Sequence, residues 1–287
     1  MRVVIIGAAG QLGADLMRAF AAIGPIGIYH GTFDIENGAA IESMLTRYQP
    51  DLVVNTAAFH NVELCEVRPD RAIAVNAIAV DQLANRCIAT GTAFAHVSTD
   101  YVFDGSTGSP YAETAPANPL NVYGISKYAG ELLILRRMTQ SYIFRTTGLY
   151  GTKHKRTFVE RVLERAHAEQ PISVVTDLVC SPSYTRHVAE AIHSVIQREA
   201  YGIYHVTNSG ACSWFDFACE LLRQAGSAVP VRRITSEASG STVRRPKYTA
   251  LANDGMRRLN LPQMPTWQQG ITAYLMERSQ LPFCDES

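Results

Sequence analysis

The 287-residue chain has no excess of charge: Lys+Arg and Asp+Glu are each 26, so the formal net charge is zero. That balance argues against a dedicated nucleic-acid binder or a polybasic membrane-surface protein, while leaving room for a local basic pocket around one phosphorylated ligand. No apolar run reaches the roughly 18 residues of a membrane span, so no membrane partner is expected. Strand-like sequence begins at Arg2, and no signal peptide is expected ahead of it. No Cys-x-x-Cys pair occurs; the six cysteines, at 65, 87, 180, 212, 219 and 284, fall mostly inside helix- or strand-like segments. Reduced thiols serving as small apolar residues in a cytoplasmic protein are the expectation. Histidines at ligand spacing are also missing: His187 and His193 are six apart and share no helix face, so no metal site is expected. There is no internal repeat, low-complexity tract or long linker.

What is present is ordinary globular chemistry, 47% hydrophobic and 18% charged, enough to exclude a disordered chain. Short β-branched or apolar runs at 2–6, 26–30, 51–55, 93–98 and 142–145 alternate with amphipathic stretches at 11–22, 39–48, 69–90 and 122–138. Continuous apolar strands alternating with helices imply a parallel sheet covered on both faces, and right-handed crossovers make it doubly wound and Rossmann-like. After about Gly151 the rhythm loosens. Helices are expected at 157–169, 184–197 and 214–225, strands at 172–176 and 202–206, and a loop at 236–246. The organisation expected is a dinucleotide-binding domain over 1–150, with 172–206 returning to it. A smaller C-terminal substrate lobe would comprise 151–171 and 207–287.

The first strand runs into Gly7-Ala8-Ala9-Gly10-Gln11-Leu12-Gly13, and a helix follows. Glycines at this spacing let the chain turn tightly and bring backbone N–H groups to a pyrophosphate at a helix N-terminus. The spacing is GxxGxxG rather than GxGxxG, and its strand–turn–helix context makes Gly7, Gly10, Gln11, Leu12 and Gly13 dinucleotide-binding candidates. The second strand ends at His30, not at an acid. Asp34 stands close to the position of the acid that grips the adenosine ribose, about 20 residues beyond the turn. Asp34-Ile35 lying beside the adenine ring is the alternative. No arginine is near in sequence to meet a 2′-phosphate, so NADH and NADPH both stay open.

Two segments carry chemistry. Ser98-Thr99-Asp100-Tyr101-Val102-Phe103-Asp104-Gly105 follows the fourth strand, and Tyr123-Gly124-Ile125-Ser126-Lys127 opens a helix. Tyr123 and Lys127 are four apart and share a helix face. A phenol ionises near pH 10. A nearby ammonium, with an oxidised nicotinamide, stabilises the phenolate and fits the tyrosine for proton transfer. Thr99 sits at a C-terminal strand end, where doubly wound sheets place ligands, and its hydroxyl can orient a carbonyl oxygen. Thr99, Tyr123 and Lys127 are therefore the catalytic candidates.

With the glycine turn, Asn55-Thr56-Ala57-Ala58, Asn76, Ser-Thr-Asp-Tyr-Val-Phe, Tyr-Gly-Ile-Ser-Lys and Arg145-Thr146-Thr147, the chain resembles the extended short-chain dehydrogenase/reductases, and most of all their dTDP-4-dehydrorhamnose reductase group. Residues 174–184, Gly202-Ile203-Tyr204-His205, Ser213-Trp214 and Arg244-Arg245-Pro246 agree with that group too. The resemblance implies a reductase of a nucleotide-linked 4-keto-6-deoxy sugar using NADPH or NADH. In that reading Tyr123 protonates the oxygen, Lys127 supports it and Thr99 orients it. Ala57 and Ala58 would lie against the cofactor and Asn76 would hold a relay water. His60, Thr99, Asp100, Tyr101 and Arg245 would meet the substrate, Arg245 at its diphosphate.

Two departures stand out. The group commonly has a Trp against the sugar where this chain has Gly148, which predicts a space there. It usually has a Thr where Phe59-His60 stands; His60 either donates to a sugar hydroxyl or packs. Two other readings remain. A dehydratase or epimerase on the same fold typically follows the Thr with Asp-Glu, whereas here Asp100 precedes Tyr101. A non-catalytic cofactor-binding subunit of the methionine adenosyltransferase type is compatible with an intact Tyr/Lys pair. The sugar, the nucleotide base and the oligomeric state stay open, a homodimer among the alternatives.

Overall fold

A computed structural model describes residues 1–153 and 157–280. Cys284 lies outside the described residues. The β-branched run at the start forms β1 (Val3–Ile6), and the alternation continues with α1 (Gln11–Ala19), β2 (Ile26–Ile28), α2 (Gly38–Tyr48), β3 (Leu52–Asn55), α3 (Val62–Val67), α4 (Pro69–Ile73), α5 (Ala79–Thr90), β4 (Ala93–Thr99), α6 (Val122–Arg137) and β5 (Ser141–Thr146). The second half adds β6 (Leu149–Tyr150), α7 (Phe158–His167), β7 (Ile172–Val175), β8 (Val179–Cys180), β9 (Ser183–Tyr184), α8 (Thr185–Ile196) and β10 (Gly202–His205). It ends with β11 (Cys212–Ser213), α9 (Trp214–Gln224), β12 (Val231–Ile234), α10 (Asp254–Arg258) and α11 (Trp267–Gln280).

Six strands pair in parallel in the order β10-β5-β4-β3-β1-β2. This is the doubly wound, Rossmann-like sheet that the sequence predicts. Every residue of β1, β3 and β5 is buried, as strands covered on both faces require. Alternation along each strand divides the core. Val3, Ile5 and Val54 face Leu12 and Leu16 of α1 and Val188 and Ile192 of α8. Val4, Ile6 and Val53 face Ile41 of α2, Leu83 of α5 and Ile134 of α6. A third cluster, with Phe217, Tyr150, Tyr184 and Tyr274, joins elements of the second half of the chain.

The structure departs from the sequence reading at four places. The second strand stops at Ile28, and His30 makes only an isolated bridge to Phe33. The stretch 69–90 is helical throughout but widens into a π-turn at Ala74–Ile78, between α4 and α5. Within 172–206, β10 and α8 return to the central sheet, whereas β7 pairs with β12 in a separate two-stranded sheet. The elements α3, β6, β8, β9, β11, β12, α10 and α11 escape the sequence reading altogether.

Candidate active site

The glycine turn joins β1 to α1, and each glycine has its own reason. Gly7 has a φ of 82°, and a Cβ there would collide with Thr56 Oγ1. A Cβ at Gly13 would collide with the Gly7 carbonyl, so this glycine lets helix and turn pack. Gly10 precedes the helix, which has no side-chain cap. The first helical N–H groups, those of Gln11, Leu12 and Gly13, have no preceding carbonyl within the helix and face outward as donors. Leu12 contributes only its backbone there, because its side chain is in the core. Both polar atoms of the Gln11 amide are buried without a partner. A glycine cradle, an uncapped helix start and an orphaned amide fit the pyrophosphate-bearing part of a dinucleotide.

A cleft of about 600 Å³ adjoins this turn. Gly7, Asp34, Ile35, Ala57 and Ala58 line it, which brings those five candidates together. Asp34 Oδ1 accepts from Glu36 N at 2.9 Å, shaping the loop, and Ile35 is buried. One cation missed by sequence reasoning also reaches the cleft. Arg71, on α4, grips Glu36 through Nη1–Oε1 at 2.9 Å and Nη2–Oε2 at 2.5 Å. Its separation of 35 residues from Glu36 hides this pairing from any local pattern.

The C-terminal end of β4 and the start of α6 form the second half of the site. Lys127 is almost fully buried, and its Nζ donates to the Val97 carbonyl at 2.7 Å and lies 3.0 Å from His96 Nε2. Desolvation pulls its pKa down to about 8, against the charge of Glu131, which raises it. His96 Nδ1 in turn meets Asn55 Nδ2 at 3.1 Å, and Asn55 Oδ1 accepts from Ala57 N at 3.0 Å. Tyr123 lies one helical turn before Lys127, half-buried. Desolvation pushes its phenol well above the ordinary value, outweighing the Thr99 hydroxyl, which favours ionisation. A phenol held neutral is a proton donor, suited to reduction of a carbonyl.

Thr99 Oγ1 donates to Asp100 Oδ1 at 3.0 Å and accepts from Tyr101 N at 3.2 Å. Asp100 is not placed to meet substrate. It is buried behind Thr99, accepts a second hydrogen bond from Thr147 Oγ1 at 2.7 Å, and is pushed up to about 6 by desolvation. The expectation that it meets substrate comes from the family resemblance of the Ser98–Gly105 segment, which does not register that its carboxylate turns inward to Thr99 and Thr147. Asn76 is likewise committed: its Nδ2 donates to Phe59 O and Ser126 Oγ, each at 2.9 Å, and its Oδ1 accepts from Phe59 N at 2.8 Å. It pins the loop that follows β3 rather than presenting a free amide to a relay water.

Tyr101 packs edge-on to Tyr123 with ring centroids 6.0 Å apart. Its hydroxyl accepts from Arg245 Nη1 at 3.0 Å, and Arg245 Nη2 pairs with Glu63. Arg245 is thus brought to Tyr101, beside Tyr123, from 144 residues away in sequence. His60 is exposed. The space expected at Gly148 is not open. A Cβ there would stand 3.1 Å from Pro182 Cα and 3.3 Å from the Trp214 ring, and φ is 56°. Trp214, from the start of α9, covers the position, so an aromatic surface comes from a different element.

The profile of the RmlD substrate binding domain matches residues 1–280. The chain belongs to this family. It is 36% identical over 280 residues to the spore coat polysaccharide biosynthesis protein SpsK of Bacillus subtilis, covering 97% of this chain and 98% of that one. It is 35% identical to a dTDP-4-dehydrorhamnose reductase of Streptomyces griseus, over 94% of this chain and 92% of the other. A crystal structure of dTDP-4-dehydrorhamnose reductase from Bacillus anthracis in complex with NADP superposes with a TM-score of 0.93 at 33% identity, covering 96% and 99%. The RmlD family lies within the extended short-chain dehydrogenase/reductases, and the chain is an NAD(P)-dependent oxidoreductase. Among the described residues, no helix is long and apolar enough to cross a membrane.

Proposed function

We propose that the chain reduces the C4 carbonyl of a dTDP-linked 4-keto-6-deoxy sugar, with Tyr123, Lys127 and Thr99 as its catalytic residues. The observation that carries this reading is the convergence of four groups. A desolvated tyrosine and a buried lysine on one face of α6 meet a strand-end threonine, and Arg245 stands behind Tyr101. The names of the relatives support the substrate class; SpsK among them leaves several sugars within it.

The reduced nicotinamide, when bound, supplies the hydride. The N–H groups at the start of α1 and the Gln11 amide hold the pyrophosphate portion, and Asp34, Ile35, Ala57 and Ala58 wall the adenosine end. Tyr123 gives its hydroxyl proton to the carbonyl oxygen as negative charge develops there. Lys127, as an ammonium, stabilises the phenolate left behind. The Thr99 oxygen, fixed by Asp100 and the Tyr101 amide, sets where the substrate oxygen sits against Tyr123. Arg245 offers a planar fork to the diphosphate.

The test is NADPH or NADH oxidation with dTDP-4-keto-6-deoxy sugars by the wild type and Tyr123→Phe. The variant loses one hydroxyl and almost no volume. Its turnover is expected to fall by roughly two to four orders of magnitude, with cofactor affinity retained. Near-normal turnover in that variant would overturn the assignment.

A further inference from the structure

Arg245 does not wait in the cleft as a free cation. Its Nη1 donates to the Tyr101 hydroxyl at 3.0 Å, and its Nη2 is held by the Glu63 carboxylate across a separation of 182 residues. Glu63 lies in the first turn of α3, beyond the Ala57–His60 loop, and Asn61 caps that helix through Leu64 N at 2.8 Å. Arg245 belongs to a loop fixed on the opposite wall. Asn121 Nδ2 donates to the Arg244 carbonyl at 3.1 Å, and Gly105 packs so closely on Lys247 and Pro246 that a Cβ there would stand 2.7 and 2.8 Å from them. The ion pair therefore bridges two walls that both fasten to the start of α6 beside Tyr123: the Arg245 loop through Asn121, and α3 through Val122 N, which donates to Glu66 Oε1 at 2.8 Å. Among the described residues the Glu63 carboxylate has no other hydrogen-bond donor, and its side chain is 54% exposed against 24% for Arg245.

We propose that Glu63 is a counter-ion gate on Arg245. It holds the guanidinium over Tyr101 while the cleft is empty and is displaced by the diphosphate of a nucleotide-linked substrate. This rests on the assignment of Arg245 to that diphosphate. A partly exposed ion pair of this kind is weak, enough to preset the guanidinium and too little to resist a polyanion. A neutral sugar offers Arg245 nothing in exchange for its carboxylate, so the gate selects for the anionic handle. A diphosphate also shares Arg245 with Tyr101, which ties occupancy of the remote handle to the tyrosine packed against Tyr123.

Calorimetric binding of thymidine 5′-diphosphate to the wild type, Glu63→Gln, Arg245→Ala and the double variant tests this, with thymidine as the uncharged control. Glu63→Gln is expected to bind the diphosphate roughly two- to five-fold more tightly, Arg245→Ala more weakly, and thymidine equally in all four. The gain from Glu63→Gln is expected to vanish in the Arg245→Ala background. No gain in Glu63→Gln, or the same gain without Arg245, overturns the gate while leaving Arg245 at the diphosphate. Unchanged affinity in Arg245→Ala overturns both the gate and the nucleotide-diphosphate assignment beneath it.

Discussion

Lys127 shows how a residue legible by spacing can owe its chemistry to partners that are not. Its four-residue offset from Tyr123 is visible in the sequence, but the Asn55–His96–Lys127 chain crosses from β3 through β4 to α6. The hydrogens in that chain do not all fit. Asn55 Oδ1 is taken by Ala57 N, so Nδ2 faces His96 Nδ1 and the neutral ring carries its hydrogen on Nε2, against Lys127. Turning the amide around would relieve the ring and set two donors together at Ala57. The chain closes without conflict when Lys127 is an amine, which reinforces the downward pull of burial to about 8. In the proposed reduction Lys127 acts as the ammonium. The kcat/KM profile of the wild type is therefore expected to fall as pH rises through about 8. Lys127→Met is expected to lack that limb and to lose on the order of 100-fold or more in turnover. Stability runs the other way. Between about 8 and the ordinary lysine value of 10.5 the unfolded chain holds a proton that the folded one has released. The wild type should therefore gain stability relative to Lys127→Met as pH climbs through that window, measured by urea unfolding.

At the scale of elements, the position of Tyr123 and Lys127 is set by how closely α6 approaches its neighbours. Two glycines allow it. A Cβ at Gly124 would collide with the Tyr101 carbonyl, and one at Gly130 with the Asn76 carbonyl. The latter carbonyl belongs to the π-turn between α4 and α5, where Asn76 fastens the loop after β3 and Ser126 of α6 together. The sequence shows a helix over this stretch and gives no sign of the widened turn, because the turn is held by contacts from the loop after β3 and from α6 rather than by its own pattern. Glu131, two turns along from Tyr123, adds a bidentate grip on Arg145, with Nε–Oε1 at 3.0 Å and Nη2–Oε2 at 2.6 Å, both side chains being buried. Gly130→Ala is expected to push α6 off the π-turn. The cost should be roughly 1–3 kcal/mol, as for overpacking a tight core, and should appear as a lower urea midpoint with unchanged slope. Turnover is expected to suffer beyond the loss of stability, since Tyr123 and Lys127 ride on the displaced helix.

The whole molecule divides into a part the sequence displays and a part it conceals. The central sheet is legible because strands buried on both faces must be continuously apolar, as Val3–Ile6 is throughout and Leu52–Asn55 is up to its last residue. In the second half α7, β7 and α9 are legible, but β6, β8, β9 and β11 are opaque because they have two residues each, too short for any period to register. What joins the parts is opaque as well. Glu277 of α11 accepts from Thr152 at 2.9 Å and from the Tyr184 hydroxyl, and pairs with Arg18 of α1 at 2.6 Å and Arg186 of α8 at 3.2 Å. One carboxylate thus ties the last helix to two helices that cover the sheet. Desolvation pushes this carboxyl up, but the hydrogen bonds from Tyr184, Arg18, Thr152 and Arg186 prevail and hold it at about 2. The folded state therefore keeps Glu277 ionised below the ordinary value of 4.5, where the unfolded chain takes up a proton. The stabilisation is complete above 4.5 and drains away as pH falls towards 2. Glu277→Gln keeps the shape and removes the charge. At neutral pH it is expected to lower stability by about 1.5–3 kcal/mol, the worth of a charge-assisted hydrogen bond. The gap to wild type should narrow steadily as unfolding is followed from pH 5 downwards. A gap that stays constant with pH would assign the effect to packing at α11 rather than to the charge.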